Sequence, residues 1–299
     1  MKSVALIVAW LAVSVLAAAL LAPWLYLATE NAAHHFPLLH GLAGHKFHRY
    51  INRLVMIFAV LGVVGIGRFL GYRKAAALGL GGSHRPGRAV LGFVVSVVFL
   101  GILAGLLLAT GCVRFRSFDA QEVAMLTASV TLAAVAVGFL EELFFRGFLY
   151  DLFRREFNFW FAILVVSAFF ASVHFVKSPG EYKLGPVKWD TALLLLPRYV
   201  EHVPSFEAIF FSALNLFLVG CILAWAYEET GNLYLSIGLH AGWIFALQLS
   251  AGLTEVTGKC AEGLLGFGDL RGSPLATVLL VLQWVVLRRL SRELVVLGP

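Results

Sequence analysis

Apolar residues along this chain run in long, nearly unbroken blocks, and polar positions fall mostly in the short breaks between them. Blocks at about 4–28, 50–71, 88–110, 118–145, 158–176, 206–227, 233–252 and 274–290 each approach the roughly 20 residues a helix needs to cross about 30 Å of hydrocarbon. Backbone polar groups in hydrocarbon must be satisfied within their own segment, so blocks of this length predict helices. The breaks carry turn signals: Gly81, Gly82 and Pro86 before the third block, Gly231 and Asn232 before the seventh, and Gly272 to Pro274 before the eighth. The pattern therefore predicts an all-α fold, a polytopic transmembrane helix bundle of about eight spans, with both termini on one side. Residues 1–299 read as a single integral membrane domain, without internal repeats. The first block exceeds the apolar core of a signal peptide, about 7 to 15 residues, and reads as a retained helix.

One connection differs from the rest. Residues 177–205 are rich in proline and hold a short apolar stretch, Leu193 to Leu196, too short to span. This segment reads as an interfacial lid or partly inserted loop, or as a surface linker.

Composition agrees with a lipid solvent: 60% of residues are hydrophobic and only 13% charged. The formal net charge of +6 does not imply nucleic acid, because the basic residues sit in short clusters between apolar blocks. Such clusters meet anionic headgroups, making the lipid bilayer the expected partner. Arg73/Lys74, Arg154/Arg155 and Arg288/Arg289/Arg292 all fall on the side of the termini, which favours termini in the cytoplasm. A multi-pass protein of a bacterial inner (plasma) membrane is the expected setting; no retention signal follows Leu297-Gly298-Pro299. Three cysteines exclude a disulfide scaffold, although Cys112 and Cys260 share a predicted side and can pair where that side is oxidising. His34, His35, His40, His45 and His48 crowd the first loop at irregular spacing and read as a solvated basic loop rather than a metal site. No cofactor is expected.

Charged groups at membrane depth cost several kcal/mol unless paired or solvated, so an ionisable cluster inside an apolar block marks candidate chemistry. The run TLAAVAVGFLEELFFRGFLY places Glu141, Glu142 and Arg146 within one predicted helix. Glu142 and Arg146, four apart, can pair on one face. Glu141 is rotated about 100° away and is left as a free carboxylate, the kind of group that takes a proton from water. Two later blocks each carry one histidine: His174, with Phe170 one turn earlier, and His240. Glu141, His174 and His240 thus lie on three separate helices, and helix bundles build sites from such inward side chains.

The order Glu-Glu-x-x-x-Arg, then Phe-x-x-x-His, then a His-centred stretch resembles the CAAX-processing and bacteriocin-processing (CPBP, or Abi) family of membrane proteases. The likeness covers about residues 118–252, a CPBP-like catalytic core. Glu141, Glu142 and Arg146 fit the first motif and Phe170 and His174 the second. The stretch holding Asn232, Leu233, Gly238, Leu239, His240 and Ala241 resembles the third. The resemblance implies a glutamic-type intramembrane endopeptidase acting on a membrane-anchored protein or peptide. In it Glu141 and His174 activate water, His240 stabilises the oxyanion, and Glu142 and Arg146 form a structural pair. The family's asparagine four residues after that histidine is Ile244 here, which cannot donate a hydrogen bond. Trp243 and Gln248 are the candidate substitutes.

Rival readings have their own residues. Glu141, His174 and His240 would also make three ligands for a catalytic zinc, although no H-E-x-x-H occurs. Tyr150-Asp151 and Gly266 to Asp269 echo the motifs of intramembrane aspartyl proteases, but both aspartates stand in helix-end or loop contexts. Gly82-Ser83-His84 lies in a basic loop without the glycine a rhomboid-like serine requires. A non-enzymatic immunity or transport protein that keeps the fold is the alternative of a different class, since buried Glu, His and Arg also serve proton relays.

Overall fold

The computed structural model describes residues 2–36, 46–81, 85–175, 186–201, 206–257 and 272–296. All eight apolar blocks are helical, in an all-α polytopic architecture: α1 Lys2–Ala33, α2 Phe47–Phe69, α3 Arg85–Ala109, α4 Ala120–Glu142 continuing through a π-helical stretch Leu143–Tyr150 into α5 Asp151–Glu156, then α6 Phe159–Val173, α8 Phe206–Thr230, α9 Tyr234–Leu253 and α10 Pro274–Val296. Among the described residues six helices are long and apolar enough to cross a membrane by themselves: Ala5–Ala33, Phe47–Phe69, Pro86–Ala109, Ala120–Glu156, Ile209–Thr230 and Tyr234–Leu253. α6 is shorter, at 15 residues, and α10 runs into Arg288, Arg289 and Arg292.

The chain divides into two compact units. The first comprises Met1–Arg73 and Val173–Pro204. Within it Ala19 and Ala22 of α1 and Phe47, Tyr50 and Ile51 of α2 pack with Ala192 and Leu195 of α7, an 11-residue helix spanning Thr191–Glu201. The Tyr26 ring meets Phe47 and Tyr50 edge-on, at 5.4 and 5.3 Å. The Trp10 indole N–H donates to the Phe58 carbonyl (3.0 Å), satisfying a donor that hydrocarbon would leave bare. The apolar stretch expected to be a lid or linker is thus a short helix, too short to span, packed through Ala192 and Leu195; residues 176–185 and 202–205 around it lie outside the described residues.

The second unit comprises Lys74–Ser172 and Ser205–Pro299. α9 packs on α3 and α4, where glycine brings the backbones together. A Cβ on Gly238 would lie 2.0 Å from the Ala89 carbonyl oxygen, and one on Gly138 would lie 3.0 Å from the Ala241 nitrogen. Small residues at helix contacts are the membrane solution to close packing, where lipid supplies little hydrophobic drive. α4 starts on a capping box: the Asp119 carboxylate accepts from the Glu122 N–H (2.8 Å) and Glu122 accepts from the Asp119 N–H (3.0 Å). One feature absent from the sequence expectations is a small antiparallel pair, β1 Val113–Phe115 with β2 Thr254–Val256, closed by an exposed Arg114–Glu255 ion pair at 2.6 Å. These strands follow α3 and α9, whose ends the close packing already brings side by side. Cys112, just before β1, is buried and disulfide-bonded; Cys260, the partner expected for it, lies outside the described residues.

Candidate active site

The second unit holds an ionic cluster where α4 passes into the π-helical stretch. Glu142 is the last residue of α4, and Phe144 to Tyr150 are buried without exception. π-helical turns are rare and gather at functional sites. Arg146, inside the stretch, donates through Nη1 to Glu142 Oε1 at 2.7 Å, with both side chains wholly buried. This is the pair the four-residue spacing predicts. The other guanidinium amine, Nη2, donates to the Gly220 carbonyl of α8 at 3.2 Å. α8 comes close enough because residue 220 has no side chain: a Cβ there would sit 2.8 Å from that of Ser167 on α6. The guanidinium also lies 4.6 Å from the Phe170 ring centroid.

His240 completes the cluster from α9. Its Nδ1 lies 2.8 Å from Glu142 Oε1, the same oxygen that receives Arg146. A carboxylate can only accept, so the ring carries its proton on Nδ1. Nε2 then points toward Glu141, whose Oε2 is 3.7 Å away, beyond a direct hydrogen bond. Glu141 keeps a side chain 25% exposed, against 0% for Glu142 and 6% for His240. Phe170 meets the imidazole edge-on at 5.7 Å. Three polar atoms here are buried without a partner among the described residues: Glu141 Oε2, Glu142 Oε2 and Arg146 Nε. Unsatisfied groups of this kind are costly in a protein interior and call for an explanation.

The structure thus brings together Glu141, Glu142, Arg146, Phe170 and His240. His174 comes one residue after α6 ends, half-buried, and is grouped with the first unit. Ile244 is half-buried one turn beyond His240. Of the proposed substitute donors, Trp243 gives its indole N–H to Gln283 Oε1 at 3.0 Å, in a core shared by α3, α8 and α10. Gln248 is exposed, eight residues along α9 from His240. Sequence reasoning missed the Glu142–His240 bond, the Gly220 acceptor and the π-helical register. The spacing Gly238-x-x-x-Gly242 was the available signal for the approach of α9.

Among the described residues no three His, Cys, Asp or Glu side chains gather as metal ligands. Asp151 forms an ion pair with Arg155 (2.7 Å), while Gly266 to Asp269, Gly82 to His84, His40 and His45 lie outside the described residues. No curated protein and no solved structure matches the chain. A family comparison does, over a stretch that contains every member of the cluster: residues 123–246 match the model described as Rce1-like, type II CAAX prenyl endopeptidase Rce1-like.

Proposed function

We propose that this chain is a glutamate-dependent intramembrane endopeptidase that hydrolyses a peptide bond in a membrane-anchored protein or peptide. The family match supports a peptide hydrolase, and six apolar helices support a multi-pass membrane setting. The observation that carries the mechanism is the imidazole of His240 between two carboxylates, bonded to Glu142 at 2.8 Å and facing the unpartnered Glu141 oxygen at 3.7 Å. A single water making two hydrogen bonds of about 2.8 Å spans such a gap.

In this reading Glu141 takes a proton from water as its oxygen attacks the substrate carbonyl carbon. His174 assists Glu141, as the family resemblance implies. His240 stabilises the tetrahedral oxyanion, as the family resemblance implies. Collapse breaks the C–N bond, and the amine leaves with the proton held by Glu141. Glu142 fixes the ring, and Arg146 holds Glu142, so the pair serves as a support for His240 rather than as a hydrolytic group. In this reading the termini face the cytoplasm of a bacterial inner membrane, the side that the basic clusters favour.

Cleavage of a panel of membrane-anchored peptides by purified protein in detergent tests this, comparing wild type with Glu141→Gln, each with and without chelator. Loss of cleavage in the variant together with indifference to chelator supports the glutamate mechanism. Activity lost with chelator and restored by zinc favours a metal enzyme. Proton flux without cleavage favours a transport protein that keeps the fold.

A further inference from the structure

Hydroxyl groups on these helices share one habit. Ser14, Thr127, Thr131 and Ser172 each donate to the carbonyl four residues back, at 2.7 or 2.8 Å, which answers the hydroxyl without help from any other helix. Ser167 of α6 departs from it. The residue is 1% exposed, and its Oγ is the only hydroxyl oxygen among the buried side-chain atoms that lack a hydrogen bond in the described residues. An unanswered hydroxyl inside a membrane helix is costly, and the back-bond that would answer it is a rotamer change away. What Ser167 faces must therefore offset that cost.

It faces Gly220 of α8. A Cβ on Gly220 would lie 3.0 Å from Ser167 Oγ, so the hydroxyl stands against the same residue whose carbonyl receives Arg146 Nη2 at 3.2 Å. Ser167 and Phe170, three apart, share a face of α6, and the Arg146 guanidinium lies 4.6 Å from the Phe170 ring centroid. A planar guanidinium carries Nε–H on the same edge as Nη2, so that edge is turned to Gly220 while Nη1 holds Glu142 at 2.7 Å. Arg146 Nε is itself an unanswered donor. One hydroxyl and one N–H, both buried and both without a bond, thus converge on a single carbonyl. The thiol of Cys221, the next residue of α8, is a neighbour of this hydroxyl, but sulfur is a weak partner.

We propose that Ser167 is a positioning residue of the hydrolytic cluster: its hydroxyl and Arg146 Nε–H share one internal water seated against the Gly220 carbonyl. This rests on the function proposed above. The water accepts from Nε–H, donates to the Gly220 carbonyl and exchanges a hydrogen bond with Ser167 Oγ, and three partners are the usual number for a buried water. So held, the guanidinium cannot swing away from Glu142, and Glu142 keeps the His240 ring in place. Ser167 touches no reacting atom and acts only through that chain.

Heteronuclear NMR of the full chain in detergent, isotope-labelled at arginine Nε, reads the contact without any substrate. The Arg146 signal is recognised by the ring current of Phe170, which Phe170→Leu removes. Wild type is expected to show a slowly exchanging Nε–H with a cross-peak to bound water. Ser167→Ala is expected to shift that signal, speed its exchange about tenfold and lower kcat about tenfold with KM unmoved, because a loosened support alters the geometry of reaction and not substrate binding. Cys221→Ala is expected to change neither. An Nε–H signal unaltered in Ser167→Ala overturns the site, and so does a wild-type signal without the water cross-peak. A shifted signal with unaltered kcat overturns the positioning role, and an equal response in Cys221→Ala overturns it by giving the hydroxyl to the thiol. Absence of cleavage by the wild type counts against the proposed function instead, and the Nε–H signal then decides the contact alone.

Discussion

Two buried polar groups stand one turn apart on α9, and they are built on opposite principles. Trp243 enters a neutral chain, its N–H to Gln283 and the Gln283 amide to Ser96, joining α9, α10 and α3 with each of these donors answered. His240 enters an ionic cluster in which Glu141 Oε2, Glu142 Oε2 and Arg146 Nε are left without partners. The first arrangement is what helix bundles use to hold together in lipid, where interhelical hydrogen bonds contribute about 0.6 to 2 kcal/mol. The second carries desolvation costs that packing alone would not repay, and replacing such buried ions by apolar groups is often stabilising. The difference teaches what sets the two groups apart: the neutral chain answers its donors, whereas the ionic cluster, to which the proposed function assigns the chemistry, does not.

The comparison breaks most visibly at Glu141. Glu141→Gln is expected to lower the cleavage rate by about 10²- to 10⁴-fold, the contribution of a general base, while thermal unfolding in detergent stays close to wild type because Oε2 bonds to nothing. A large loss of stability would make Glu141 a structural group and remove the distinction. Glu142→Ala is the converse: Arg146 is left as an uncompensated buried charge, and unfolding measurements should show a loss of about 3 to 5 kcal/mol. Near wild-type stability would mean that the pair does not support the fold.

Ile244→Asn sharpens the comparison from the other side. It returns the family's amide to the position one turn beyond His240, and the single-turnover rate should rise by up to about 10²-fold if an oxyanion donor is what the chain lacks. An unchanged rate would show that the donor is supplied elsewhere. The smallest effect is expected in the neutral chain. Gln283→Leu leaves the Trp243 N–H and Ser96 Oγ to find other partners, costing about 1 to 2 kcal/mol in unfolding with the cleavage rate unmoved. A loss of rate as large as that of Glu141→Gln would dissolve the contrast between the two groups.

Much of this molecule is legible in one dimension, for a physical reason. A helix in hydrocarbon satisfies its own backbone, so long apolar runs announce it locally, and each of the eight became a helix. The Glu142–Arg146 pair is equally local, since four residues make one turn. The family motifs carried the candidate residues because their order along the chain survives without any knowledge of packing. The short strands were not legible, since three residues have no period to detect. Nor was the π-helical stretch, where one extra residue per turn leaves no mark on composition.

What the amino-acid sequence by itself determined was the solvent, the secondary structure and the identity of the ionisable residues, because each follows from side-chain chemistry within a few turns of helix. What only the tertiary structure decided was their partnership. His240 and Glu142 are 98 positions apart, and their bond exists because glycine at 138 and 238 lets α9 lie against α4 and α3 at backbone distance. On the same helix Trp243 is bonded to Gln283 of α10, and Glu141 Oε2 faces an imidazole nitrogen at 3.7 Å.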